Sequence, residues 1–218
     1  MLFRSGADVN KKVISTNLDS SLKTEYSALV IAMQYKNIEA VNALIAAGAD
    51  VNMPRINQNL SNSITEEMPP IFIATQYENI QAVNALINAG ADVNKKVIST
   101  NLDSNLKTEY SALVIAIETR NIEAVNALIN AGADVNKKLL ETSLFAITKK
   151  EIPPIFLAIT NQNIEAVNAL IAAGADVNMP RINQNLSNSI TEEMPPIFIA
   201  TQDRKSTRLN SSHLVISY

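Results

Sequence analysis

Asn37-Ile38-Glu39-Ala40-Val41-Asn42-Ala43-Leu44-Ile45-Ala46-Ala47-Gly48-Ala49-Asp50-Val51-Asn52 is the stretch whose reading decides the fold. Ile38, Val41, Leu44 and Ile45 fall at helical spacing and form one apolar stripe. Ala40, Ala43 and Ala47 are small, so a neighbouring helix can approach closely. Gly48 ends the helix, because the residue just past a helix commonly takes the left-handed conformation, which glycine enters without steric cost. Asp50 and Asn52 are turn residues whose short side chains hydrogen-bond nearby backbone.

The stretch returns along the chain. The five glycines, Gly6, Gly48, Gly90, Gly132 and Gly174, stand 42 residues apart, and each opens Gly-Ala-Asp-Val-Asn. Chance does not produce such spacing, so the chain is read as a repeat array. A shorter helix precedes the first. One version is Ser27-Ala28-Leu29-Val30-Ile31-Ala32-Met33, with Ser27 as N-cap. Another is Pro69-Pro70-Ile71-Phe72-Ile73-Ala74, with Pro70 at the first helical position, where the missing N–H costs little. Pro153-Pro154 and Pro195-Pro196 repeat the device.

These residues resemble the ankyrin-repeat family. Ser27-Ala28-Leu29-Val30-Ile31-Ala32 matches the family's Thr-Pro-Leu-His-x-Ala loosely. Asn37-Ile38-Glu39-Ala40-Val41 and Leu44-Ile45-Ala46-Ala47-Gly48-Ala49-Asp50-Val51-Asn52 match the second-helix and Gly-Ala-Asp-Val-Asn elements closely. The resemblance covers residues 1–202 and implies an all-α repeat solenoid of ankyrin-like helix pairs. There are three departures. Val30, Phe72, Val114, Phe156 and Phe198 replace the family histidine. Lys36, Glu78, Arg120 and Gln162 replace its inter-helix glycine, so the adjacent Asn37, Asn79, Asn121 and Asn163 are expected to take the left-handed conformation, which asparagine tolerates. The period is 42 rather than the family's roughly 33 residues.

The extra residues lie in long connections such as Lys95-Lys96-Val97-Ile98-Ser99-Thr100-Asn101-Leu102-Asp103-Ser104-Asn105-Leu106-Lys107-Thr108-Glu109-Tyr110. Ile98, Leu102, Leu106 and Tyr110 recur every four residues, which suits a strand or a short helix. The β-branched run before Asn101 and the turn-rich segment after it favour a lengthened β-hairpin. Helix pairs are expected at about 27–47, 69–89, 111–131 and 153–173, with a partial unit at 1–10 and a severed one from 195. Segments also recur in blocks: 37–76 is identical to 163–202.

Composition narrows the function. At 47% apolar residues the chain can bury a continuous core. Net charge is −3, with no basic face to suggest nucleic acid. Cysteine is absent, so there is no disulfide framework or thiol chemistry. No stretch approaches the ~18 apolar residues of a membrane span. His213 is the one histidine, which leaves a triad, a histidine metal site and a proton shuttle unsupported. The glycines are helix stops, not a phosphate loop. Glu66-Glu67, Glu192-Glu193, Lys95-Lys96 and Lys137-Lys138 read as solvated positions of the connections. No catalytic, cofactor or metal site is expected.

What remains is surface. Repeat arrays present extended concave faces suited to binding. The resemblance implies a protein partner held by hairpin tips and first-helix ends, and a monomeric array. By the motif match those helix ends are Gln34 and Tyr35, Gln76 and Tyr77, Glu118 and Thr119, Thr160 and Asn161. Tyr35 and Tyr77 lead, because tyrosine is enriched at interface hot spots. Phe145 joins them from the apolar connection Leu144-Phe145-Ala146-Ile147. Abundant Asn, Ile and Lys point to an AT-rich genome and an effector exported by an intracellular bacterium, acting in the cytoplasm or the host cytosol. The alternatives are a regulatory or targeting array of a larger enzyme and a mechanical spacer.

The period fails after Gln202. Residues 203–218 resemble the translation of a common sequencing adapter and are expected to be a library artefact, leaving the natural chain longer. Without them the acidic count falls from 21 to 20 and the basic count from 18 to 15, a net of −5.

Overall fold

The computed structural model describes residues 8–17, 19, 21–62, 64–101, 105–143, 147–185 and 189–196. Phe198 and the segment 203–218 lie outside them. Each unit is a β-hairpin followed by two antiparallel helices. The first unit holds β1 (Val13–Asn17), β2 (Leu22–Tyr26), α1 (Ala28–Gln34) and α2 (Ile38–Ala46). The second holds β3 (Arg55–Asn59), β4 (Thr65–Met68), α3 (Pro70–Gln76) and α4 (Ile80–Asn88). The third holds β5 (Val97–Asn101), β6 (Leu106–Tyr110), α5 (Ala112–Glu118) and α6 (Ile122–Asn130). The fourth holds β7 (Leu139–Ser143), β8 (Thr148–Ile152), α7 (Pro154–Thr160) and α8 (Ile164–Ala172), and the hairpin β9 (Arg181–Asn185)/β10 (Ile190–Met194) follows. The long connections are therefore hairpins, and the ankyrin-like solenoid of helix pairs stands as expected.

The helices are too short to persist alone in water, so packing must hold them. First helices lie within the stack: all of Ala112 to Ile117 in α5 is buried. Second helices bury one stripe, Val41 and Leu44 in α2 and Ala82, Val83 and Leu86 in α4. Val30, Phe72, Val114 and Phe156, at the family's histidine position, are all buried, and the Arg181 guanidinium lies over the Phe156 ring at 5.6 Å. Ser27 caps α1 by accepting the Val30 N–H at 3.4 Å, and Pro70 and Pro154 open α3 and α7.

The second-helix stop is a Schellman motif. Gly48, at φ +86°, donates its N–H to Ile45 O at 3.0 Å, and Ala49 donates to Leu44 O at 2.9 Å. The same motif ends each first helix, and here the expectation fails. The left-handed residue is Lys36, Glu78, Arg120 or Gln162, with φ between 52° and 56°, not the asparagine that follows. Asn37 has φ −85° and is already the N-cap of α2, its Oδ1 accepting the Ala40 N–H at 2.9 Å. One asparagine cannot hold a positive φ and also cap from φ −85°, and capping wins because it satisfies a helix-terminal donor.

Asparagine also stitches the units together. Asp50 N–H donates to Asn10 Oδ1, and the pattern recurs at Asp92 to Asn52, Asp134 to Asn94 and Asp176 to Asn136, at 2.7 to 2.8 Å. Each Asp carboxylate in turn accepts the N–H of the Asn two residues on, as from Asn52 to Asp50 at 2.8 Å. Asp shapes its own turn and Asn reaches the next.

The hairpins join into two antiparallel sheets, one in the order β1-β2-β3-β4 and one in the order β10-β9-β8-β7-β6-β5. Register sorts their side chains into rows. Met68, Val97 and Tyr110 pack on Phe72 and Ile115 of the first helices, so their face looks inward. Thr24, Asn57 and Glu66 share that inward face in the first sheet, and Ser99, Thr108, Glu141, Lys150, Asn183 and Glu192 share it in the second. The outward face carries a row that alternates aliphatic and acidic: Ile14, Glu25, Ile56, Glu67, then Ile98, Glu109, Leu140, Glu151, Ile182, Glu193.

Candidate protein-binding surface

The first-helix ends lie beneath the inner sheet face. Tyr35 follows α1 and is 81% exposed. Tyr77 follows α3, is partly covered, and accepts a hydrogen bond from Gln34 Nε2 at 3.4 Å, which ties two consecutive units. Gln76, Glu118, Thr119 and Thr160 are exposed, while Gln34 and Asn161 are half-buried. The Thr119 hydroxyl donates back to Ile115 O at 3.0 Å, and the Thr160 hydroxyl to Leu157 O at 3.0 Å. These two hydroxyls are thus spent on their own helices. Phe145 lies outside the described residues. The remaining eight positions fall at one end of the four first helices, although their sequence separation reaches three full units.

Hairpin and helix end meet electrostatically at Glu118. Its carboxyl is held above the ordinary carboxylate range, first by partial loss of solvent and then by the negative charge of Glu141 in β7. Glu141 itself pairs with Lys150 Nζ at 3.2 Å across the hairpin. On the outward face the carboxylates are instead stabilised. Glu151 is drawn below the ordinary range by hydrogen bonds from Lys149 and Lys138, at 2.6 and 2.9 Å. Glu25 is lowered chiefly by the Lys23 ammonium at 2.8 Å. Lys96 pairs with Glu109 in the third hairpin.

The positions of the helix ends can be read within single units, whereas the inner sheet row from Thr24 to Glu192 cannot. Inter-hairpin register places that row, and no single connection encodes it. The signal that could have found it is the period-2 alternation within each strand, once the strands are laid side by side.

The match to a family now adds to the geometry. A model of three consecutive ankyrin repeats matches residues 54–139 and again 99–181, and a single-repeat model matches 24–55. The chain belongs to the ankyrin-repeat family. No curated protein matches it. As an ankyrin-repeat array it is a non-catalytic scaffold of the kind that serves protein–protein interaction. Among the described residues, no group of three His, Cys, Asp or Glu is placed to hold a metal ion. No helix among them is long and apolar enough to cross a membrane.

Proposed function

We propose that this ankyrin array, a variant with a 42-residue unit, binds one protein partner through the first-helix ends and the inner face of its hairpin sheets. The carrying observation is where near-identical units differ. The second helices read Ile-Glu-Ala-Val-Asn-Ala-Leu-Ile-Ala-Ala with changes at two positions only, Glu39 to Gln81 and Ala46 to Asn88. Even their exposed Asn42, Asn84, Asn126 and Asn168 do not change. The first-helix ends do: Gln34-Tyr35-Lys36, Gln76-Tyr77-Glu78, Glu118-Thr119-Arg120, Thr160-Asn161-Gln162. Exposure alone does not explain this contrast, because the invariant asparagines are exposed and so are most of the variable helix-end residues. A surface that must fit an irregular partner does.

Tyr35 is the anchor, being a large exposed aromatic with a polar tip. Partner captured on the immobilised array can be identified and its affinity measured by calorimetry. Tyr35→Ala/Tyr77→Ala should weaken it by at least about tenfold, since hot-spot truncations cost upward of about 1–2 kcal/mol. Asn126→Ala/Asn168→Ala should leave it unchanged. The reverse pattern moves the binding face to the second helices. The same reading places the array, as a monomer, in the cytoplasm or in a host cell's cytosol after export by an intracellular bacterium; fractionation of infected cells tests that location. It also sets residues 203–218 apart from the array, which long-read sequencing of the locus decides.

A further inference from the structure

The hairpin wall is continuous except at one junction. Second strands pair with the next unit's first strand at β2–β3, β6–β7 and β8–β9. Between β4 and β5 the sheet stops. There the Glu66 carboxylate, on the inner face, takes donors of β5 with its own oxygen. Oε1 accepts the Ser99 hydroxyl at 2.6 Å and the Thr100 N–H at 3.3 Å. A side chain that captures backbone donors competes with the ladder. At the matching place the paired junctions carry Thr24, Thr108 and Lys150.

The junction is closed at its base, where Met68 and Val97 pack together with Phe72, Tyr110 and Ile115. Toward the hairpin tips it opens into a cleft of about 440 Å³. Carboxamides of Asn57, Asn59 and Asn62 and the aliphatic Leu22 and Ile64 line it beside Glu66. Among the nine described residues that line it none is Lys or Arg, and of these Glu66 alone is charged. Glu66 forms no ion pair among the described residues, whereas Glu141, three strands along the same face, is neutralised by Lys150. Its Oε2 receives no hydrogen bond from a described residue. The carboxylate is thus positioned by two donors through one oxygen, and Glu66 lines the cleft.

We infer that this cleft is a side-chain pocket that receives an arginine of the protein partner. This rests on the partner-binding reading above and names one residue class that the surface selects. A guanidinium suits the site because it is planar, permanently charged and rich in donors, matching one carboxylate oxygen and the Asn57 carboxamide; the Asn59 and Asn62 oxygens already accept the Ser61 and Ile64 N–H groups at 2.9 and 3.0 Å. The aliphatic stem lies along Leu22 and Ile64.

The test titrates N-acetyl-arginine amide into the ¹⁵N-labelled full chain and follows amide shifts, with N-acetyl-citrulline amide, its neutral analogue, in parallel. Saturable shifts at Asn57, Ser99 and Thr100 are expected with arginine. Citrulline should bind at least about tenfold more weakly, and so should arginine to Glu66→Gln, from loss of one charge-assisted contact. Glu66→Thr installs the residue of the paired junctions; it should lose arginine binding while unperturbed shifts on the helices report an intact fold. Absence of saturable shifts overturns the pocket, as does equal binding of citrulline or retention of arginine by both variants. If the partner binds through Tyr35 and Tyr77 but arginine does not enter, the pocket falls and the function stands. If arginine enters but the Tyr35→Ala/Tyr77→Ala chain keeps full partner affinity, the pocket stands and the proposed surface falls.

Discussion

Lys36, Glu78, Arg120 and Gln162 turn the chain left between two helices with full side chains in place. A non-glycine residue held there costs roughly 1–2 kcal/mol, partly offset because glycine would loosen the unfolded chain. Lys36→Gly should therefore raise stability by about 0.5–1 kcal/mol, read as a higher urea midpoint. Ile147 makes the comparison sharper. It holds φ +47° at a hairpin tip where other units place Ser21, Asn105 or Ser189, and β-branching makes that backbone harder still. Ile147→Asn should stabilise by about 1 kcal/mol in the same measurement. Glu118 gives a pH test. A carboxyl whose folded pKa is raised binds its proton more tightly folded than unfolded. Its ionisation thus costs stability as pH climbs from the ordinary carboxylate range through the raised value. Glu118→Gln should melt higher than the parent at neutral pH, and the gap should close toward about pH 4, where both forms are neutral.

The elements show which parts of the fold can be read in one dimension. The Asn136 carboxamide accepts the Asp176 N–H of the next turn at 2.8 Å. Asn136→Ala should cost about 1 kcal/mol and speed amide exchange first in the turn at Asp176. Helices were legible because their signals are local. The stripe from Ile38 to Ile45, the stop at Gly48, the cap at Ser27 and Pro70 at the first helical position each lie within a few residues of what they specify. The hairpins were legible as β-branched runs around turn residues. The roles of Lys36 and Asn37 were not, because two neighbouring residues competed for one conformation and the caps on both sides decided it. The seam beside Glu66 was also hidden. At that seam a carboxylate meets donors 33 and 34 residues away, a contact that no single unit encodes.

At the scale of the molecule, constant parts build and variable parts face outward. Second helices, Gly-Ala-Asp-Val-Asn turns and the asparagine ladder repeat almost without change, so the turns of successive units are joined in the same way. Such an array is held by nearest-neighbour interfaces, and its surface residues are free to differ. First-helix ends and the inner sheet row use that freedom, and the interrupted wall between β4 and β5 adds a cleft to it. The most direct test is hydrogen exchange of the array with and without its captured partner. The account predicts slowed exchange at the turns following α1 and α3 and along the inner strands on either side of Glu66, with α2, α4, α6 and α8 unchanged. Protection confined to those second helices, with the first-helix ends unaffected, would contradict it.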